Sequence, residues 1–228
     1  MNVVMLLFPH LTQLDLTGPY EVFGRFPELS LHLTWKTLES VDDARGLRLT
    51  PTTTFADCPQ ADILFVPGGP GQLQLMQDEE TLNFLRQQSS GAQLITSVCT
   101  GSLVLAAAGL LTGYRATCHW MSLDQLALFG AYPVPERVVR DRNRITGAGV
   151  TSGIDFALSL AEGLFDTNRA RQVQLAMEYD PSASFFIGGS PQTAEPGLVA
   201  QARASAAKFQ ERRHAAARAA AQALQALK

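Results

Sequence analysis

Cys99 stands where one apolar run ends and another begins, in Thr96-Ser97-Val98-Cys99-Thr100-Gly101-Ser102. Residues 94–98 have the length and composition of a buried strand. Residues 100–108 read as an apolar helix closed by Gly109. A thiol on such a turn meets unpaired N–H groups and the positive end of the helix dipole, and both favour the nucleophilic thiolate. The pattern predicts a thiol version of the strand–nucleophile–helix elbow. Gly101 is expected to let a ligand approach the backbone closely. The bland reading is a small buried cysteine, and the place on the turn favours the nucleophile.

Pro67-Gly68-Gly69-Pro70-Gly71 follows a second buried strand, 62–66. Two readings stand. The N–H groups of Gly68 and Gly69 form an oxyanion-type pocket, or the turn simply needs glycine. A phosphate loop is excluded, because its lysine and Ser/Thr are absent. Asp15 also carries two readings: a helix N-cap, or a carboxylate free to meet a ligand. A short helix over 17–24, with Thr17 as cap and Pro19 in its first turn, favours the free carboxylate. Glu21 reads as a helix-face carboxylate. None of His10, His32, His119 and His214 adjoins Cys99, and His119 reads as a hydrogen-bonded core residue. Cys58 reads as loop-end packing. No cluster has metal-ligand spacing.

These residues need elements to hold them. Strands are expected at 2–8, 31–37, 62–66 and 94–98, and helices at 78–88, 151–165 and 168–178. Residues 137–140 and 144–146 form a hairpin, 180–197 a loop, and Pro196 opens an Ala-rich helix running to Lys228. There is no internal repeat. The expected units are a catalytic domain over 1–195 and a helical extension over 196–228, part of the same domain or a dimer contact. Alternating strands and helices predict an α/β fold with a parallel sheet covered on both faces. Ligands of such sheets sit beyond the carboxyl ends of the strands, so the loops after Phe8, Val66 and Val98 matter most.

Composition narrows the class. The 228 residues are 46% hydrophobic and 17% charged, enough for a sizeable core. With 18 basic and 21 acidic residues, the net charge of -3 argues against a broad cationic surface for nucleic acid. Three cysteines without a CxxC pair argue against a disulfide scaffold and suit a reducing cytoplasm. Residues 87–114 carry no charge, but Ser, Thr and Gly interrupt them, so a buried strand and helix are expected and not a membrane span. The N-terminus lacks a basic region and a small-residue cleavage site.

Four stretches together resemble the ThiJ/PfpI branch of the class I glutamine amidotransferase-like superfamily. They are Leu14-Asp15-Leu16-Thr17-Gly18-Pro19-Tyr20-Glu21-Val22-Phe23, Val66-Pro67-Gly68-Gly69, Ser97-Val98-Cys99-Thr100-Gly101 and Arg115-Ala116-Thr117-Cys118-His119-Trp120. Within it, Val138-Val139-Arg140-Asp141, the run from Gly147 to Leu158 and Gly188-Gly189-Ser190-Pro191-Gln192-Thr193-Ala194 most resemble the isocyanide-hydrating members. The resemblance implies a flavodoxin-like three-layer sandwich, a homodimer, and a small-molecule isocyanide as substrate. It implies Cys99 as nucleophile, Asp15 as acid, and assisting contacts from Thr100 and the Gly68-Gly69 turn. It names no cofactor and no metal, and no nucleic-acid or membrane partner is expected. Protease-like members place histidine directly after the cysteine, where this chain has Thr100, so a Cys–His proteolytic mechanism is disfavoured. Two alternatives remain. One is the ligand-sensing domain of AraC-type regulators without its DNA-binding part. The other is glyoxalase- or deglycase-like chemistry.

Overall fold

The structure, a computed structural model, describes residues 1–181 and 188–226. Parts of the expected 180–197 loop and the last two residues of the expected C-terminal helix lie outside the described residues. The chain opens with β1 (Asn2–Leu6), α1 (Gln13–Phe23), β2 (Ser30–Trp35), β3 (Val41–Asp42), β4 (Arg48–Leu49) and β5 (Thr53–Thr54). It continues with β6 (Ile63–Val66), α2 (Gln72–Leu75), α3 (Glu79–Gly91), β7 (Leu94–Val98) and α4 (Gly101–Ala107). Next come β8 (Arg115–Ala116), a 3₁₀ helix (Trp120–Phe129), β9 (Tyr132–Pro133), β10 (Val138–Asp141) and β11 (Arg144–Gly147). Three helices close the chain: α5 (Ser152–Leu164), α6 (Thr167–Ala176) and α7 (Pro196–Ala226).

Seven strands form the main sheet in the order β10-β11-β7-β6-β1-β2-β5. All its pairings are parallel except the β10–β11 hairpin. The central strands are buried from Val3 on in β1 and throughout β6 and β7, including Thr96 and Ser97 of β7, because helices cover both faces. On one face α1 packs on α5 and α5 on α6; on the other, α4 meets α2, α3, α7 and the 3₁₀ helix. The architecture is the expected three-layer α/β sandwich with a helical extension.

One expectation near the site needs correction. The first helix starts at Gln13, not at 17, with Thr12 in extended backbone at the N-cap position. Thr17 is therefore no cap; its hydroxyl donates to Gln13 Oε1 at 2.8 Å within the helix. Pro19 lies inside α1, where it packs against α5: a Cβ on Gly153 would meet Pro19 Cδ at 3.1 Å. Residues 120–129, to which the sequence analysis assigns no element, fold as a 3₁₀ helix closed by Gly130 at φ 74°.

Candidate active site

β7 ends in an elbow. Cys99 holds φ 57°, a left-handed conformation that non-glycine residues adopt at a cost. Two acceptors hold it there: the Cys99 N–H points at Gly147 O, 3.0 Å away, and Ala148 O, 2.7 Å away. Both belong to the end of β11 and the residue after it. The next helix leaves at once, with Thr100 at the N-cap position of α4. Gly101 has a different purpose from the one its sequence context implies. A Cβ there would sit 2.1 Å from Val66 O, so the glycine admits the backbone of β6 and not a ligand.

Asp15 comes to this elbow from α1. It lies in the first turn and is fully buried, and it caps nothing: its Oδ2 accepts from Gly68 N–H at 3.0 Å. Among the described residues its other oxygen, Oδ1, has no hydrogen-bond partner, and the Cys99 thiol neighbours the carboxyl group. The Gly69 N–H donates to Thr100 Oγ1 at 3.0 Å. Both glycine N–H groups of the turn are thus engaged by side chains of the site. They fix Asp15 and Thr100 in place and do not stand open as an oxyanion pocket. The glycines are needed for the approach: a Cβ on Gly68 would lie 2.5 Å from Thr100 N and 2.8 Å from Asp15 Oδ2.

Burial dominates the electrostatics. It pushes the Asp15 carboxyl up to about 7, against the opposing pull of hydrogen bonds from Cys99 and Gly68. Burial also pushes the Cys99 thiol well above its ordinary range, and the charge of Asp15 and the neighbouring Cys118 push the same way. Only the Thr100 N–H favours the thiolate. The low thiol pKa expected from the helix terminus is therefore absent: α4 is only seven residues long, and desolvation outweighs its dipole.

A cleft of about 520 Å³ opens beside the elbow, with walls that include Cys118, His119, Trp120, Leu123, Ala148 and Val150. Cys99 itself, 5% exposed, does not line the cleft, but its N–H donates to the carbonyl of Ala148, which does. His119 is half-buried, and its Nδ1 accepts from Met121 N–H at 3.3 Å at the start of the 3₁₀ helix. It is hydrogen-bonded, as expected, and it also faces the cleft. Glu21 points away and pairs with Arg25 at 2.6 Å on the helix surface. Cys58 is a half-buried loop residue that donates to Pro59 O at 3.4 Å. Arg213 on α7, which the sequence groups with Arg203, Lys208, Arg212 and Arg218 as a basic, solvated helix face, is instead buried. Among the described residues no group of three or more His, Cys, Asp or Glu is placed to hold a metal ion. No helix among them is long and apolar enough to cross a membrane.

The profile of the DJ-1/PfpI family matches residues 1–163. The chain belongs to the DJ-1/PfpI family. It is 54% identical over 207 residues to an isonitrile hydratase of Pseudomonas putida, covering 91% of this chain and 90% of that protein. A crystal structure of a ThiJ/PfpI family protein from Pseudomonas syringae superposes with a TM-score of 0.91 at 45% identity, covering 95% of this chain and 90% of that one. An HTH-type transcriptional regulator of Pseudomonas aeruginosa is 34% identical over 170 residues, covering 70% of this chain but only 45% of the regulator.

Proposed function

We propose that this protein hydrates isocyanides (isonitriles) to N-substituted formamides, with Cys99 as nucleophile and Asp15 as proton carrier. The observation that carries the reading is the 54% identity to the isonitrile hydratase across nine-tenths of both chains. The regulator match is weaker and spans less than half of that relative.

The chemistry follows from the pair. At neutral pH Asp15 and Cys99 share one proton. As Sγ bonds to the terminal isocyanide carbon, the thiol proton passes to Asp15 and from there to that carbon. The product is a thioimidate, Cys99–S–CH=N–R. Asp15, ionised again, takes a proton from an attacking water, and the oxygen bonds to the same carbon. That proton goes to nitrogen, the C–S bond breaks, and R–NH–CHO leaves with the thiolate regaining its proton. One water is consumed and no oxidant or cofactor is required. Thr100 orients the turn through Gly69, and its N–H faces the sulfur as charge develops there. The cleft beside Trp120, Leu123 and Val150 supplies apolar walls for the R group.

The test is to incubate the protein with an aryl isocyanide and follow the formamide by chromatography. Formamide at the background rate would refute the hydratase reading. A homodimer in the cytoplasm belongs to the same proposal; light scattering at the mass of a single 24.7 kDa chain would refute the dimer.

A further inference from the structure

The cleft beside the elbow has charged side chains as well as apolar walls. Among its described lining residues the charged ones are Glu136, Arg137 and Arg203. The first two have counter-ions that do not line the cleft. Arg137 pairs with Asp155 at 2.5 Å, and Glu136 faces Arg115 at 3.6 Å. His119 accepts at Nδ1 from the Met121 N–H, as a neutral ring does. Arg203 differs. Among the described residues it joins no ion pair. Its guanidinium carbon lies 4.9 Å from the centre of the Trp120 ring. An exposed arginine ordinarily extends into water, but here the indole face draws the cation over the cleft. A guanidinium stacked on a ring keeps the N–H groups of its edge for a second partner.

Two elements set this arrangement. Trp120 opens the 3₁₀ helix that follows Cys118 and His119, and Arg203 lies about two turns into α7. The two helices pack together. Buried Arg213, further along α7, ties them: its Nη1 donates to Ser122 Oγ at 3.0 Å. Gln210 adds a second tie to Ser122 at 3.1 Å. Held in this way, α7 keeps Arg203 over the ring. The same cavity is lined by Ala148, whose carbonyl accepts the Cys99 N–H at 2.7 Å, so the elbow and the available cation border one space.

We infer that Arg203, held on Trp120, is a specificity-determining residue, and that the isocyanide this cleft takes carries a carboxylate on its R group. The inference rests on the hydratase reading for the reaction and adds the chemical class of the substrate. It also gives the C-terminal extension, which lies beyond the matched family profile, a task in the site. A cleft of about 520 Å³ far exceeds what an isocyano group fills, so the R group occupies most of it. The apolar body of that group lies along Trp120, Leu123 and Val150, and its carboxylate accepts two hydrogen bonds from the guanidinium edge. One available guanidinium suits a single negative charge. A phosphate calls for further cations, and Arg137 is already taken by Asp155. The carboxylate takes no part in the chemistry, so the formamide product keeps it and binds through the same contact.

The experiment compares 3- and 4-isocyanobenzoate with their methyl esters, which have a similar shape and no charge. Wild type is expected to prefer acid over ester in kcat/KM for at least one isomer, mainly through KM. Arg203→Met is expected to cut that acid-over-ester ratio about five-fold. Arg203→Lys keeps the charge but not the fork, and its ratio falls between the two. A general disturbance of α7 affects acid and ester alike, so a merely structural role leaves the ratio unmoved. Wild type that turns over both acids no better than their esters overturns the proposal, and so does an unchanged ratio in folded Arg203→Met. Titration calorimetry with 3- and 4-formamidobenzoate reads the contact without turnover. Affinity that drops about five-fold in Arg203→Met supports the carboxylate contact even if no isocyanide is hydrated. Equal affinity in wild type and variant overturns it.

Discussion

Asp15 Oδ2 accepts a hydrogen bond from the Gly68 N–H at 3.0 Å, and this contact ties the first turn of α1 to the loop after β6. It settles the geometry of the site in one step. The turn N–H holds one carboxyl oxygen, and the other, Oδ1, is buried with no hydrogen-bond partner among the described residues. An unpaired buried carboxyl oxygen costs stability, and the fold keeps it beside the one thiol that sits on a strained elbow.

Asp15→Asn is expected to lower turnover of an isocyanide about 100-fold or more, because the amide keeps the size and the Gly68 contact but moves no proton. Stability moves the other way. The folded carboxyl titrates at about 7, against 3.8 for an ordinary aspartate, so the native state holds its proton after the unfolded chain has lost it. That makes wild-type stability fall as pH rises from about 4 to about 7, then stay flat. Relative to wild type, the Asn variant gains Tm across that window and keeps the gain at pH 8. A variant that melts well below wild type at pH 8 would show that the carboxylate is structural.

Cys99→Ala is expected to abolish hydration, while Cys58→Ala and Cys118→Ala keep most of it. Intact-mass analysis of wild type quenched during turnover is expected to show an adduct on the Cys99 peptide. Comparable turnover in Cys99→Ala rules out the covalent route.

Much of this was open to a reader of the sequence. The runs that become β1, β6 and β7 were read as buried strands, and Cys99 between Val98 and Thr100-Gly101 marked the elbow. Asp15 was legible as a site residue for a wrong reason. Pro19 was read as a first-turn signal, which placed the helix start at Thr17, whereas α1 begins at Gln13 and carries the proline inside. What Gly68, Gly69 and Gly101 each admit was not legible. Only the folded chain shows that their missing side chains make room for Asp15 and Thr100, for Leu11 and Thr12, and for Val66 O. Nor was the sign of the Cys99 shift, since burial is a property of the assembled layers and not of a turn. Arg213 escaped because a basic residue on an Ala-rich helix ordinarily faces water.

The elbow offers a packing prediction. Gly101→Ala puts a methyl group 2.1 Å from Val66 O, where backbone must move to admit it. Thermal melting is expected to show a lower Tm, with loss of alkylation selectivity for Cys99 as the turn opens. Thr100→Val is milder. It leaves the buried Gly69 N–H without its acceptor, at a cost of about 1–3 kcal/mol. Unchanged melting in both variants would mean that the turn tolerates rearrangement and does not hold the site.

The last prediction concerns the pH dependence of the reaction. The scheme needs the Asp15–Cys99 pair to carry one proton. With two, Asp15 cannot take the thiol proton as sulfur attacks. With none, the isocyanide carbon finds no proton. Asp15 loses its proton at about 7, and Cys99 is pushed well above the usual thiol range. The pair therefore passes from two protons to one near pH 7 and stays there over a wide alkaline range. An aryl isocyanide does not titrate in this window, so kcat/KM reports the free enzyme. It is expected to rise about ten-fold per pH unit below the midpoint near 7 and to level off above it. In Asp15→Asn the residual rate loses that midpoint and follows the thiol alone, rising only at alkaline pH. A wild-type profile flat from pH 5.5 to 8.5, or one that falls as pH rises through 7, contradicts the shared proton and assigns the acid to another group.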